Sequence, residues 1–241
     1  MIHYEAPGDD GVAVIRIDRP QRRNALDGEA LSALDGALEQ AHRHARAAVL
    51  TGTGASFCSG ADLYHLVALT PVQRARWIEQ GSRLLERIAQ GPTPVVAAVN
   101  GAALGGGLEV ALSADIVLAA EGVPLGFPEM AWGWLPGWGG IAQAVARVGV
   151  TRARALVLGA EPVTAEAALQ MGLINEVCPA PELERRARDW ARRLGDRPAL
   201  AMSAARRALS GRGSVDAGLL PLLMAEPRAQ ERLVRYREAG R

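Results

Sequence analysis

Two spacings of apolar residues alternate along the first half of the chain. Short runs rich in valine, isoleucine and alanine are typical of buried strands, and longer segments with apolar residues at helical spacing are typical of helices packed on one side. The predicted strands are residues 12–18, 47–51, 95–99 and 115–120, and the predicted helices are residues 27–46, 71–90 and 108–113. This alternation favours an α/β fold with parallel pairing.

The second half of the chain has a different pattern, and we expect no further strands after about residue 138. Helical spacing follows in residues 138–148, 151–159, 164–171 and 182–209. A loose boundary near residues 179–181 separates two regions. The prediction is therefore an α/β core over residues 1–180 and a helical region over residues 181–241.

Composition excludes several classes of function. The formal net charge of +1 selects neither nucleic acid nor an anionic membrane. All 27 basic residues are arginine, so there is no lysine for a Schiff base, a pyridoxal anchor or a P-loop. Two cysteines and four scattered histidines give neither a disulfide framework nor a metal cluster. We expect a protein of the reducing cytoplasm.

Two stretches need a specific interpretation. Residues 91–108 carry no charge over 18 positions, but five glycines and two prolines there predict a strand, a turn and a helix start rather than a membrane span. The polar, acidic start of the chain does not resemble a signal peptide. The helical end holds 14 arginines against 8 acidic residues over residues 182–241, which we interpret as a solvated, subunit-contacting face rather than a nucleic-acid surface.

A glycine-rich turn over residues 101–109 is the first candidate for chemistry. Three consecutive glycines precede the predicted helix, and free amides at a helix start suit an anion or a polarised carbonyl oxygen. Gly106 and Glu109 are three positions apart and so share roughly one helix face. The alternative is a tightly packed connection with Glu109 in solvent.

Two further segments are weaker candidates when taken alone. Residues 57–62 follow a strand end, where a turn at Gly60 would expose the Ala61 amide; Cys58 is either a nucleophile or, as we favour, a small buried residue. In residues 127–140, Glu129 lies among aromatic residues that would desolvate its carboxyl group and raise its pKa, as an acid–base catalyst needs. The alternative is a turn residue beside a tryptophan-rich core.

Taken together, the motifs resemble the enoyl-CoA hydratase/isomerase, or crotonase, family. The resemblance runs through most of the chain, and five ordered motifs carry it: residues 18–26, 57–63, 100–112, 127–140 and 165–175. It implies a spiral of ββα units followed by a C-terminal helical region that supports assembly into a homotrimer or homohexamer.

The resemblance also implies a catalytic arrangement. The amides of Ala61 and Gly106 would form an oxyanion hole for a thioester carbonyl. Glu109 would orient and deprotonate a water, Glu129 would deliver a proton to the α-carbon, and the Gly137 amide would hold the water. No metal or redox cofactor is implied, since coenzyme A belongs to the substrate.

Coenzyme A would be bound by segments on both sides of Gly60. The residues that match are Arg22, Arg23, Ala25, Ala61, Asp62, Leu63, Tyr64 and Gly105. Tyr64 stands where many hydratases carry lysine, and Arg22 or Arg23 could replace that ionic contact. Trp132 and Trp134, with Trp138, either line the acyl pocket, which would then take a short or flat chain, or pack in the core.

Both glutamates together favour reversible hydration of a trans-2-enoyl-CoA, in the manner of enzymes of fatty acid metabolism. Two alternatives stay open at this point. One is a double-bond isomerase or another CoA-thioester lyase of the family, and the other is a catalytically silent subunit that binds CoA thioesters.

Overall fold

The computed structural model describes residues 1–209 and 218–238, and its strands form two sheets. Six strands lie in the order β1-β2-β3-β5-β7-β10, all parallel except for the antiparallel β1–β2 pair. The smaller sheet has the order β4-β6-β8-β9, with β9 antiparallel to β8. The strands are β1 Ile2–Glu5, β2 Val12–Ile17, β3 Ala47–Gly52, β4 Ser56–Cys58, β5 Val95–Val99, β6 Ala102–Leu104, β7 Ile116–Ala120, β8 Pro124–Gly126, β9 Val163–Thr164 and β10 Glu176–Cys178.

Helices connect the strands and cover the sheets. The α-helices are α1 Gly28–His44, α2 Leu63–Ala68, α3 Pro71–Gln90, α4 Gly106–Ser113, α5 Gly140–Gly159, α6 Ala165–Gln170, α7 Leu183–Gly195, α8 Ala199–Leu209, α9 Leu219–Ala225 and α10 Pro227–Glu238. Short 3-10 helices occur at Pro20–Arg22, Pro128–Trp132 and Ala180–Glu182. Within the described ranges, we find no helix that combines the length and the hydrophobicity needed to cross a membrane.

From β3 to β8, consecutive strands alternate between the two sheets, which produces the predicted spiral of ββα units. The pairs β3–β4, β5–β6 and β7–β8 each place their first strand in the large sheet and their second in the small one, and each pair leads into helices. The fold class is therefore the expected one. Because the second strands of three successive turns lie side by side, the loops that follow them lie near one another.

The large sheet is buried on both faces. One face packs on α1, α3 and α4, and the other is covered by α7 through Leu183, Ala187 and Ala191. Burial on both sides explains why its central strands are continuously apolar rather than alternating. Helix α7 thus shares a core with the first 180 residues. The separate assembly role of residues 181–241 stays a prediction, and residues 210–217 and 239–241 of that region lie outside the described ranges.

Several predicted elements need correction. Strands do not cease after residue 138, because β10 pairs with β7 in the large sheet and β9 pairs with β8. Three residues are too few to show a regular spacing of apolar positions, so the sequence pattern does not predict β10. Residues 182–209 form two helices, α7 and α8, separated just before Pro198. Helix α5 is broken at Gly149, whose φ is 75°, close to the predicted division.

One buried ionic contact joins the C-terminal helices to the core. Arg206 of α8 donates from Nε to Oδ1 of Asp115 at 2.6 Å and from Nη2 to the Ile88 carbonyl at 2.7 Å, and it also contacts the Gly91 carbonyl. Its side chain is 3% exposed. The arginine satisfies the last carbonyls of α3, which lack partners inside the helix.

Loss of this arginine is expected to destabilise the protein. Arg206→Met leaves Oδ1 of Asp115 and two carbonyls without the arginine donor, so we expect the free energy of unfolding to fall by about 3 kcal/mol. Urea denaturation measures it. Arg154→Met, at an exposed position of α5, is the control and should change stability by no more than about 0.5 kcal/mol. Equal losses in both variants would contradict this role for Arg206.

Candidate active site

Two loops that follow neighbouring strands of the small sheet meet at Gly60 and Gly106. A β-carbon added at Gly60 would lie 2.9 Å from the Gly106 nitrogen and 2.8 Å from the Leu104 carbonyl oxygen, and the φ of Gly60 is +89°. Only glycine fits this close approach. Ala61, the next residue, pairs with Leu26, whose bonds run to Gly60 and Asp62. The Ala61 amide therefore takes no part in that pairing.

The amides of Ala61 and Gly106 are thus neighbours. Gly106 is the first residue of α4, so its N–H has no acceptor within the helix and lies at the positive end of the helix dipole. Two adjacent amides outside the backbone ladder are donors of the kind that can stabilise a carbonyl oxygen that gains negative charge. Their role with a substrate stays a prediction.

The three consecutive glycines at the start of α4 each make room for a different neighbour. A β-carbon at Gly105 would lie 2.5 Å from Oε1 of Glu129, and one at Gly106 would lie 2.5 Å from Cζ3 of Trp138. One at Gly107 would overlap the carbonyl oxygen of Cys58. The glycine-rich turn is therefore both a tight packing connection and the place where the candidate groups converge. The tight packing of the alternative interpretation is present, but its solvated Glu109 is not, since that side chain is 1% exposed.

Glu109 is buried rather than solvated. It belongs to α4, all eight residues of which are buried. Its Oε1 accepts hydrogen bonds from the amides of Trp138 at 2.8 Å and Gly140 at 2.7 Å. Burial raises the pKa of Glu109, while these amides and that of Gly137 act in the opposite direction. Oε1 is held in place, which leaves Oε2 for another partner.

Glu129 has a contrasting environment. It lies in the 3-10 helix Pro128–Trp132, is 8% exposed, and its Oε2 has no hydrogen-bond partner among the described residues. Burial raises the pKa of Glu129 to about 7, and the nearby charge of Glu109 adds to the shift. The site therefore holds one carboxyl group fixed by backbone donors and a second that changes protonation state near neutral pH.

Cys58 is a buried packing residue. It is inaccessible to solvent, and burial raises the pKa of its thiol to about 12. Its sulfur lies 3.4 Å from the Gly60 nitrogen, beneath the turn that carries Ala61. A nucleophilic cysteine needs a lowered pKa, so the structure favours the packing interpretation. Among residues 1–209 and 218–238, no three His, Cys, Asp or Glu residues cluster as metal ligands.

The predicted coenzyme A residues fall into two groups. Arg22 and Tyr64 are exposed, and the Arg22 guanidinium carbon lies 4.6 Å from the centroid of the Tyr64 ring. Asp62 is buried and serves the local fold, because it accepts from the amides of Tyr64 and His65 at the start of α2 and pairs with Arg19. Its carboxylate shapes the loop.

The remaining predicted residues lie around the same loops. Arg23 is exposed with a φ of 51°, and its carbonyl accepts from the Ser59 amide; Ala25 is buried, and Leu63 is 38% exposed. Trp132 and Trp134 are 61% and 43% exposed and stack on each other with centroids 6.0 Å apart. Neither tryptophan is a core residue.

Sequence reasoning missed the amides that hold Glu109. The sequence predicts that the Gly137 amide holds the water, whereas the amides that donate to the Glu109 carboxylate are those of Trp138 and Gly140. Gly137 lies beside the same carboxylate, since its amide also lowers the pKa of Glu109, and its own predicted role toward water stays a prediction. The glycines that flank Trp138 signal a turn with exposed amides, but not which amide faces Glu109.

Comparison with known proteins places this geometry in a family. Residues 8–220 match the family model described as enoyl-CoA hydratase/isomerase. The chain belongs to the enoyl-CoA hydratase/isomerase family.

Similar proteins carry related names. A protein of Rhodobacter capsulatus named "Probable enoyl-CoA hydratase" is 41% identical over 211 residues, covering 86% of this chain and 80% of that protein. The short-chain-enoyl-CoA hydratase of Clostridium acetobutylicum is 33% identical, covering 83% and 77%. The crystal structure of an enoyl-CoA hydratase from Bacillus anthracis matches with a TM-score of 0.83 at 32% identity, covering 97% of this chain and 91% of that one.

The raised pKa of Glu129 predicts a pH-dependent stability. A carboxyl group whose pKa rises from 4.5 to about 7 on folding stabilises the folded state below pH 4.5, and this contribution is lost as pH rises through about 7. Glu129→Gln, which cannot ionise, should therefore gain stability relative to wild type between pH 4.5 and 7. The gain should approach about 3 kcal/mol at pH 8.

Urea denaturation of both proteins across this pH range measures the difference. Glu79→Gln, which removes an exposed carboxylate of α3, is the control and should track wild type to within about 0.5 kcal/mol. Parallel curves for Glu129→Gln and wild type would show that Glu129 titrates normally.

Proposed function

We propose that the protein is an enoyl-CoA hydratase, which adds water reversibly to a trans-2-enoyl-CoA to give a 3-hydroxyacyl-CoA. The observation that carries the proposal is the pair of buried carboxyl groups, Glu109 and Glu129, beside the adjacent amides of Ala61 and Gly106. Hydration needs an activated water and a proton donor, and two carboxyl groups can divide these tasks when one is ionised and the other is protonated.

The amide pair polarises the thioester. Hydrogen bonds from Ala61 and Gly106 to the carbonyl oxygen stabilise the negative charge that develops as the β-carbon is attacked. The close approach of Gly60 to Gly106 fixes their separation. The donors are preorganised, so little reorganisation is needed during reaction.

The glutamates then divide the proton transfers. Glu109, with Oε1 fixed by two amides, orients the water through Oε2 and takes one proton as the water oxygen bonds to the β-carbon. Glu129, as the neutral acid, delivers its proton to the α-carbon. A pKa of about 7 suits a group that must be protonated for addition and ionised for the reverse elimination.

Coenzyme A binds at the loop surface that carries Arg22, Arg23 and Tyr64. The exposed Arg22–Tyr64 pair provides a cation beside an aromatic face, which suits a nucleotide diphosphate. In a chain without lysine, an arginine provides the ionic contact to the phosphates. Trp132 and Trp134 flank the acyl side. No metal or redox cofactor takes part.

Assembly into a homotrimer or homohexamer in the cytoplasm completes the proposal. Helices α9 and α10 contact each other and contain no buried residue. They expose a set of large apolar side chains that a subunit interface would cover: Leu220, Leu222, Met224, Leu233, Val234 and Tyr236. Fatty acid metabolism is the setting that the proposed substrate suggests.

An isomerase of the same family is the second candidate. It shuttles one proton without water and needs mainly one carboxyl group. The fixed, amide-bound geometry of Glu109 favours the hydratase, because an isomerase has no need of a water-orienting group. A silent CoA-thioester-binding subunit would need neither glutamate.

Removal of either carboxylate tests the proposal. Glu109→Gln and Glu129→Gln should each lower kcat for crotonyl-CoA hydration by roughly 10²–10⁴-fold, with little change in thioester affinity, because each removes one proton transfer. The loss of the conjugated enoyl-thioester absorbance follows the reaction. Glu79→Gln, which removes an exposed carboxylate of α3, is the control and should retain wild-type kcat.

Three outcomes would contradict the proposed hydratase activity or its mechanism. Strong dependence on only one glutamate, with turnover of a 3-enoyl-CoA, indicates an isomerase. Tight thioester binding without any turnover by wild type indicates a silent subunit. Wild-type kcat in both variants removes the glutamates from the mechanism.

The amide pair can be disturbed by a single methyl group. In Gly60→Ala the new β-carbon would lie 2.9 Å from the Gly106 nitrogen, so the two amides must separate, and kcat should fall by roughly 10²–10³-fold. Gly54→Ala is a matched control: its φ is +76°, but its β-carbon would meet only Pro20, at 3.4 Å. Both variants should lose about 1–2 kcal/mol of stability from the positive φ. Equal kcat values would argue against the paired amides.

A further inference from the structure

The Trp138 indole is enclosed between two glycines on different helices. A β-carbon at Gly106 of α4 would lie 2.5 Å from Cζ3 of the six-membered ring. A β-carbon at Gly81 of α3 would overlap the five-membered ring. Trp138 is 5% exposed, so the ring fills the space between the two helices and lies directly against the residue that supplies one of the paired amides.

The backbone of the same residue reaches the other end of the site. The Trp138 amide donates to Oε1 of Glu109 at 2.8 Å. In the proposed reaction, Gly106 marks the thioester carbonyl and Glu109 marks the β-carbon. Trp138 therefore contacts the residues that the proposed reaction assigns to both ends of the reacting segment, C1 and C3. An acyl chain that extends from the β-carbon toward Trp138 would meet the indole.

Other side chains pack around Trp138 and the loop that precedes it. The Trp77 ring lies 4.9 Å from it at an angle of 52°, and Trp77 is itself buried. The Cγ2 atom of Ile78 would lie 3.7 Å from a β-carbon at Gly137, so α3 also abuts the loop before Trp138. The indole cannot retreat without displacing α3, because a packed interior resists such movement.

We propose that Trp138, supported by Trp77, is the wall that limits the acyl chain, and that the preferred substrate is a short, unbranched enoyl thioester of the crotonyl class. This inference rests on the proposed function, since it places the acyl chain by the roles of Gly106 and Glu109. It assigns the selectivity to the buried Trp138 rather than to the exposed Trp132 and Trp134.

A series of enoyl-CoA substrates with acyl chains of increasing length tests the proposed role of Trp138. Wild type should hydrate crotonyl-CoA with a kcat/KM at least tenfold above that for decenoyl-CoA, since pocket contacts discriminate by such factors. Trp138→Leu, which removes the ring and keeps the backbone amide, should reduce that preference at least tenfold, mainly by raising kcat/KM for decenoyl-CoA. Trp138→Phe, a smaller core change, should give an intermediate preference.

A second pair of variants moves the ring without replacing it. Gly81→Ala places a methyl group against the indole and should press it toward the acyl site, which lowers kcat/KM for hexenoyl-CoA at least fivefold more than for crotonyl-CoA. Gly36→Ala is the matched control, since Gly36 is also inside a helix and its β-carbon would meet nothing within 4 Å. It should retain the wild-type profile.

The outcomes separate the two proposals. A crotonyl-CoA preference that relaxes in Trp138→Leu supports the wall. Equal use of decenoyl- and crotonyl-CoA by wild type, or a wild-type profile in the Trp138 and Gly81 variants, overturns it while the hydratase stands. Absence of crotonyl-CoA hydration by wild type overturns the proposed function itself.

Discussion

The start of helix α4 is the constraint on which the site depends. Three neighbours approach its glycines more closely than any side chain would permit: the Glu129 carboxyl group, the Trp138 ring and the Cys58 carbonyl. Because the helix has only eight residues and all of them are buried, it cannot shift to relieve crowding. A single short helix start therefore fixes the distances among an amide, two carboxyl groups and the wall proposed for the acyl chain.

The two glutamates show how one fold produces two chemical characters from the same side chain. Glu109 receives backbone donors, which oppose the desolvation that burial imposes on its charged form. Glu129 has a buried oxygen with no partner among the described residues, so desolvation dominates and its pKa rises to about 7. The difference arises from the turn before α5, whose amides donate to Glu109 and do not reach Oε2 of Glu129.

Local pattern predicted the long elements well, and for physical reasons. Helix α3 carries Trp77, Leu84 and Ile88 on one buried face, a period that twenty residues display clearly. Strands of two or three residues, such as β9 and β10, have no period to read, and long-range pairing alone creates them. Gly106 and Glu109 share one helix turn and were predictable from spacing. The contact between Trp138 and Gly106 joins positions 32 residues apart in sequence, and no local signal encodes it.

The burial of Cys58 affects whether an enoyl thioester substrate can modify the protein covalently. An enoyl thioester is an electrophile at its β-carbon, and thiolates add readily to such carbons. The Cys58 sulfur lies beneath the turn that carries Ala61, yet its pKa of about 12 keeps it protonated and unreactive at neutral pH. Burial also raises the pKa of Cys178. With no lysine amine in the sequence to acylate, the protein can hold a reactive thioester with few side chains that its own substrate could modify.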